Sequence, residues 1–258
     1  MHSVYKEPFF RPANSADFLS NGESWIENNQ QFRQSQKYHF YRNALDFLVE
    51  NDVSGSYFEF GVHKARTFSM VMSLDSFYAS NRGYIGGTLK PQPSSGRGGG
   101  GYMHEYVAFD SFEGFPVGTM VDAHPLYREG HVKTEKLEFL SLLQKYGQGT
   151  DRVRCVEGFY EQSLTRSLSE GLKRTSPTAS LVTIDCNLYE SYRDSLSFVE
   201  TFLTPGSIIH LDDYNSHKGQ YKAGPKRAWY EFLETTRWRF EDFLTVGWAG
   251  KSFICCER

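Results

Sequence analysis

Three aspartates carry the most chemical promise in this chain. Asp185 sits in Thr183-Ile184-Asp185-Cys186-Asn187-Leu188-Tyr189-Glu190-Ser191, and Asp212 and Asp213 sit in Ile209-His210-Leu211-Asp212-Asp213-Tyr214-Asn215. In each run an apolar stretch that reads as a strand closes on the acid. If neighbouring strands bring these ends together, the carboxylates repel one another strongly unless a cation stands among them. An oxygen-only donor set suits Mg2+, Mn2+ or Ca2+ better than zinc. The Asp-Asp pair has a plainer reading as the cap and first turn of a helix.

Two earlier segments add a second kind of chemistry. Phe58-Glu59-Phe60-Gly61-Val62-His63 reads as a short buried strand ending in glycine. Gly61 would let a ligand approach the backbone closely, and Glu59 would accept hydrogen bonds from a nucleoside or amino-acid moiety. A full GxGxxG is missing, which disfavours a standard dinucleotide site. In Phe109-Asp110-Ser111-Phe112-Glu113-Gly114-Phe115-Pro116 the acid follows a second strand, the usual place for an acceptor of ribose hydroxyls. The same residues are also ordinary turn chemistry.

The elements that must position these residues follow from periodicity. Helices are expected over 34–50, 67–78, 134–146, 162–173, 189–203 and 226–235. Strands are expected over 57–62, 106–109, 153–156, 181–184 and 207–211. A C-terminal hairpin joins 240–246 to 252–256 through Gly247-Trp248-Ala249-Gly250. Strands alternating with helices specify an α/β fold with a doubly wound, mostly parallel, seven-stranded sheet. Glu59, Asp110, Asp185 and Asp212 then face one edge of that sheet, where such folds bind ligands.

Residues 1–33 read as an N-terminal extension or lid and 34–258 as the catalytic domain. The tract 81–104, with Gly98-Gly99-Gly100-Gly101, is a flexible insertion. No Lys-Ser/Thr follows those glycines at a strand-to-helix junction, so they do not form a phosphate cradle.

Composition narrows the class. A net charge of −3 over 258 residues argues against a protein that grips nucleic acid through its phosphates. No run approaches the length of a membrane span, and Met1 to Pro12 lacks the apolar core of a secretory signal. The four cysteines, Cys155, Cys186, Cys255 and Cys256, form no CxxC pair and read as reduced thiols of a cytoplasmic protein. Aromatic residues make up 16%, enough to line a pocket, although a Phe-rich core accounts for most of them.

Glu59-Phe60-Gly61-Val62, the Phe-Asp-Ser-Phe-Glu-Gly-Phe-Pro run from Phe109, and Asp185 to Ser191 followed by Leu211-Asp212-Asp213-Tyr214 together resemble the macrocin O-methyltransferase family. That family methylates sugar hydroxyls of antibiotics and related natural products. The likeness covers roughly residues 35 to 256. It implies a class I methyltransferase fold and S-adenosylmethionine as methyl donor. Glu59 and Gly61 would lie by its methionine and ribose, Asp110 and Ser111 by the ribose or adenine, and Gly158 and Phe159 by the adenine. Asp185 would serve both the cofactor and the metal. Asp185, Asp212 and Asp213 would hold Mg2+ or Mn2+.

The family's general base is an aspartate two residues after the first metal ligand, and this chain has Asn187 there. An amide takes no proton from a hydroxyl, so the mechanism cannot be copied intact. Three accounts stay open. A metal could acidify the acceptor so that water suffices; His63, His131 or His217 could be the base; or the chain could bind its ligands and catalyse weakly. The expected acceptor is a sugar or oxygenated small molecule with neighbouring oxygens, and self-association into a homo-oligomer is expected. A metal-independent methyltransferase and a metal-dependent hydrolase are the remaining alternatives.

Overall fold

A computed structural model of the chain describes residues 25–81, 102–116 and 129–257. The proposed lid before Trp25, most of the glycine-rich insertion and the stretch from 117 to 128 lie outside the described residues. One seven-stranded sheet organises the rest, in the order β3-β2-β1-β4-β5-β7-β6. Its strands are β1 (Ser56–Phe60), β2 (Tyr106–Asp110), β3 (Val153–Glu157), β4 (Ala179–Ile184), β5 (Ile208–Leu211), β6 (Arg239–Val246) and β7 (Gly250–Glu257). The first five are parallel, while β7 runs antiparallel to β5 and pairs with β6 as a hairpin. The doubly wound sheet with a C-terminal hairpin is the architecture the periodicity predicts.

Period-two alternation divides the core in two. Tyr57, Tyr106, Ala108, Leu181 and Ile208 face α1 (Trp25–Glu50), α2 (Arg66–Asn81) and α3 (Lys136–Lys145). Phe58, Phe60, Val107, Phe109, Val182, Ile184, Ile209 and Leu211 face the opposite layer. There α4 (Tyr160–Ser163), α5 (Arg166–Leu172), α6 (Tyr189–Val199) and α7 (Gly224–Thr235) cover the sheet. Phe60 and Phe109 stack at 4.3 Å across β1 and β2, so this side is dry and aromatic. Buried strands without a polar face are what a doubly covered parallel sheet requires.

Three boundaries differ from the sequence reading. Helix α1 begins at Trp25, not Gln34, and runs through the expected 33/34 domain boundary. The helix expected over 162–173 is two helices, because Leu164 leaves helical geometry and the Thr165 side chain caps α5 by accepting from Leu168 N. The helix expected to reach 203 ends at Val199 and tightens into a 3-10 turn, Glu200–Phe202.

Strand order reverses between β1 and β4, so loops leaving those strands diverge to opposite faces of the sheet. The resulting crevice is where ligands bind in open α/β sheets.

Candidate active site

The crevice is open. A cavity of about 240 Å3 straddles the β1/β4 junction, and its lining includes Gly61, Asp110, Ser111, Phe159, Asp185 and Asn187. Backbone geometry shapes it. Gly61 has φ +86°, and a Cβ there would stand 2.1 Å from the Asp185 carbonyl oxygen. Only glycine lets the β1 loop pass this close to the β4 loop. Asp110 ties β2 to β1, accepting from Val62 N at 2.9 Å, His63 N at 3.4 Å and Phe112 N at 2.8 Å. Burial raises its carboxyl, and these amides oppose the rise. Gly114 packs against the 130–131 backbone, so His131 and Val132 close one wall.

Not every expected cofactor residue lines this cavity. Gly158 does not, although its neighbours Phe159 to Glu161 do. Glu59 also lies outside the lining, because strand alternation turns it toward α1 and α2. It is buried and accepts from Tyr57 Oη at 2.6 Å. Burial, first of all, pushes its carboxyl well above the usual carboxylate range. Glu59, Thr183 and His210 stand in register across β1, β4 and β5. Tyr57 and Tyr41 hydrogen-bond to Thr183 at 3.1 and 2.8 Å, and Tyr41 reaches His210 Nδ1 at 3.3 Å. A polar row thus crosses an otherwise apolar core.

The three aspartates do converge. Asp185, Asp212 and Asp213 each offer an oxygen within 4.8 Å of the others. The helix-cap reading of Asp212-Asp213 fails, because a 3-10 turn, His217–Gly219, intervenes before α7 begins at Gly224. Asp213 is buried, and its Oδ2 accepts from Asn187 Nδ2 at 3.0 Å. Burial and the two neighbouring carboxylates push it well above the usual range. Asn187 adopts φ +64°, a conformation that asparagine tolerates better than most side chains.

Sequence reasoning missed the cation. Lys37, buried on α1, places Nζ 3.0 Å from Asp185 Oδ2 and 3.0 Å from Asp212 Oδ2. Arg33, one turn earlier, stands 3.9 Å from Asp212. Burial lowers the ammonium's affinity for its proton, but the two carboxylates win and hold its pKa well above the ordinary value. Burial likewise raises Asp212, yet Lys37, His210 and Arg33 bring it down to about 2. For Asp185, burial and Asp212 outweigh the same lysine and push it up to about 6. The spacing puts Arg33, Lys37 and Tyr41 on one face of α1, in line with the apolar stripe Ala44, Leu45 and Leu48, but does not say which acids that face meets.

An oxygen-only set of three aspartates suits Mg2+ or Mn2+ by donor type. The space between two of the three, however, is taken by the ammonium. Magnesium needs oxygen contacts of ~2.0–2.1 Å, which cannot coexist with a lysine nitrogen at that point. With Lys37 in place the residues do not fit the ion.

The proposed histidine bases are scattered. His63 and His131 line the cavity. His63 meets Thr134 Oγ1 through Nδ1 at 3.0 Å, and burial lowers its pKa. His217 does not line it and lies in the turn before α7, where a Cβ on Gly224 would collide with its ring. Among the described residues no helix is long and apolar enough to cross a membrane.

Comparison with known proteins supplies the context. The sequence model of the macrocin-O-methyltransferase (TylF) family matches residues 99–238, more than half of the chain. A Streptomyces olivaceus protein, the 8-demethyl-8-(2,3-dimethoxy-alpha-L-rhamnosyl)-tetracenomycin-C 4'-O-methyltransferase, is 32% identical over 115 residues. That match spans 41% of this chain and 40% of the relative's length. The structure of the O-methyltransferase NovP superposes with a TM-score of 0.60 at 18% identity, covering 86% of this chain and 80% of that one. The calicheamicin methyltransferase CalS11 gives 0.61 at 21% identity, covering 93% of this chain and 89% of that one. These two likenesses establish the fold. With the family match over residues that carry Asp110, Asp185, Asp212 and Asp213, they lead to one assignment: the chain belongs to the macrocin O-methyltransferase family.

Proposed function

We propose that the chain transfers a methyl group from S-adenosylmethionine to a hydroxyl of a sugar or similarly oxygenated small molecule. The observation that carries this reading is the cavity at the β1/β4 switch point, which gathers Gly61, Asp110, Ser111, Phe159 and Asp185. These residues fit the cofactor: a glycine for close backbone approach, an acid beyond β2 for ribose hydroxyls, and an aromatic wall beyond β3. Bound there, S-adenosylmethionine supplies an activated methyl carbon on a good leaving group. The protein's part is to position the acceptor oxygen and take its proton.

Asp185 is suited to the second task. It borders the cofactor cavity, and a carboxyl pushed to about 6 is both ionised and basic near neutral pH. Asn187 holds Asp213 and shapes the wall between cavity and cluster. His217 has no part in this proposal. The Mg2+ or Mn2+ of the sequence reading enters no step, since Lys37 stands between two of its three ligands.

The relative's name supports a sugar-bearing acceptor, and CalS11, whose apo structure has a similar fold, is a TDP-rhamnose 3'-O-methyltransferase. A test follows from both. The full chain is incubated with methyl-labelled S-adenosylmethionine and TDP-rhamnose or rhamnosyl glycosides, and label on the sugar is read by mass spectrometry. Transfer supports the proposal. Cofactor binding without transfer to any vicinal diol favours the second reading, a weakened ligand-binding homologue, to which Asn187 already points.

A further inference from the structure

We infer that Lys37 is this chain's own cation for the Asp185–Asp212–Asp213 cluster, tethered on α1 where a divalent ion would otherwise stand, and that methyl transfer here needs no metal ion. Geometry comes first. One ammonium bridges Asp185 Oδ2 and Asp212 Oδ2 at 3.0 Å each, and its side chain is only 9% exposed. A lysine is not buried this way without a structural demand, because burying its charge is costly unless it is paired on more than one side.

The surroundings point the same way. Asp213 is satisfied by a neutral amide, where a fourth carboxylate would have added another negative charge. The half-exposed Arg33 stands 3.9 Å from Asp212 as a second cation beside Lys37. The three carboxylates thus already face two of the chain's own cations, and a divalent ion placed beside Lys37 would meet the repulsion of both.

The position of Lys37 is also fixed from below. Tyr41, one turn along the same face of α1, is buried and hydrogen-bonded to Thr183 and His210. The anchor sets α1 so that Lys37 reaches over the ends of β4 and β5. Lys37 acts as a positioning residue: it holds the two carboxylates side by side, with Asp185 at the border of the cofactor cavity. The matched family segment begins at residue 99, so Lys37 lies outside it.

The consequence for methyl transfer rests on the function proposed above; the ion exclusion itself does not. The test is therefore independent of substrate. Mn2+ is titrated into the full chain and the free ion is followed by electron paramagnetic resonance, while S-adenosylmethionine binding is measured separately. Wild type should take up no Mn2+ up to about 1 mM. Lys37→Met should take up one ion at least ten times more tightly, and Lys37→Arg should exclude it like wild type. If Lys37→Met is recovered unfolded, Mg2+ or Mn2+ should restore its folding, since the ion then replaces the missing charge. Uptake of Mn2+ by wild type with an affinity that Lys37→Met does not raise overturns the inference. So does a Lys37→Met chain that neither binds nor responds to the ion. Failure to bind S-adenosylmethionine would strike the functional proposal alone.

Discussion

The amide nitrogen of Asn187 donates to Asp213 Oδ2 at 3.0 Å, where the family's base would set carboxylate against carboxylate. This contact keeps a buried acid satisfied without added charge. Asn187→Asp would replace an attraction by a repulsion at that distance. The variant should lose about 1–2 kcal/mol of stability in metal-free buffer. Mg2+ should move neither melting temperature, because Lys37 still stands between Asp185 and Asp212 in the variant. Thermal melts with and without Mg2+ check this, and a variant as stable as wild type, or one rescued by Mg2+, would contradict it.

Gly61 should be intolerant of any side chain. Its φ of +86° and the 2.1 Å approach of a Cβ to the Asp185 carbonyl mean that backbone must shift. Gly61→Ala should cost about 3 kcal/mol or more and weaken cofactor binding, because the loop that moves is part of the cavity wall. Gly147→Ala, at a glycine with open space around it and a φ of +80°, serves as a control for conformational strain alone.

Asp110 joins two loops through three backbone amides and faces the cavity. Asp110→Ala should weaken S-adenosylmethionine binding by at least about tenfold, roughly the worth of one good hydrogen bond to a charged group. Dialysis with labelled cofactor measures it. Undiminished affinity would remove Asp110 from the site.

His210 supplies a pH test. Its ring lies 3.8 Å from Asp212, within ion-pair range, yet burial drives its pKa from 6.5 down to about 4, so it is neutral in the native state. The unfolded chain takes up a proton near 6.5 that the folded chain refuses. Stability from this residue is therefore complete above pH 6.5 and is lost as pH falls toward 4, by roughly 3 kcal/mol. Asp185, raised to about 6, acts in the opposite sense over part of that window. Comparing wild type with His210→Gln isolates the histidine: urea unfolding across this range should show a shallower fall in the variant. Parallel curves would mean that the ring titrates alike in the folded and unfolded chain and is not held neutral by burial.

The strands and their acidic ends were legible because period-two burial and strand-end aspartates are local signals. Asp110, Asp185, Asp212 and Asp213 all fall where the alternation places them. Glu59 does not line the cavity because it lies within β1, where alternation turns it toward the α1 face, and the local sequence does not reveal that direction. Lys37 was invisible for a different reason. Its partners are 148 residues away in sequence for Asp185, and only the packing of α1 across β4 and β5 brings them together. The break at Leu164 was hidden because apolar spacing runs on across it, and only the Thr165 cap marks the new start.

The central claim is that the cavity at the β1/β4 junction binds S-adenosylmethionine. Equilibrium dialysis of the labelled cofactor against the full chain tests it most directly, with Gly61→Val as the blocked cavity and circular dichroism to confirm folding. One site per chain in wild type, lost in the folded variant, is the predicted result. A folded wild-type chain that retains no cofactor at about 1 mM, the upper end of the usual range for enzyme substrates, would contradict the account.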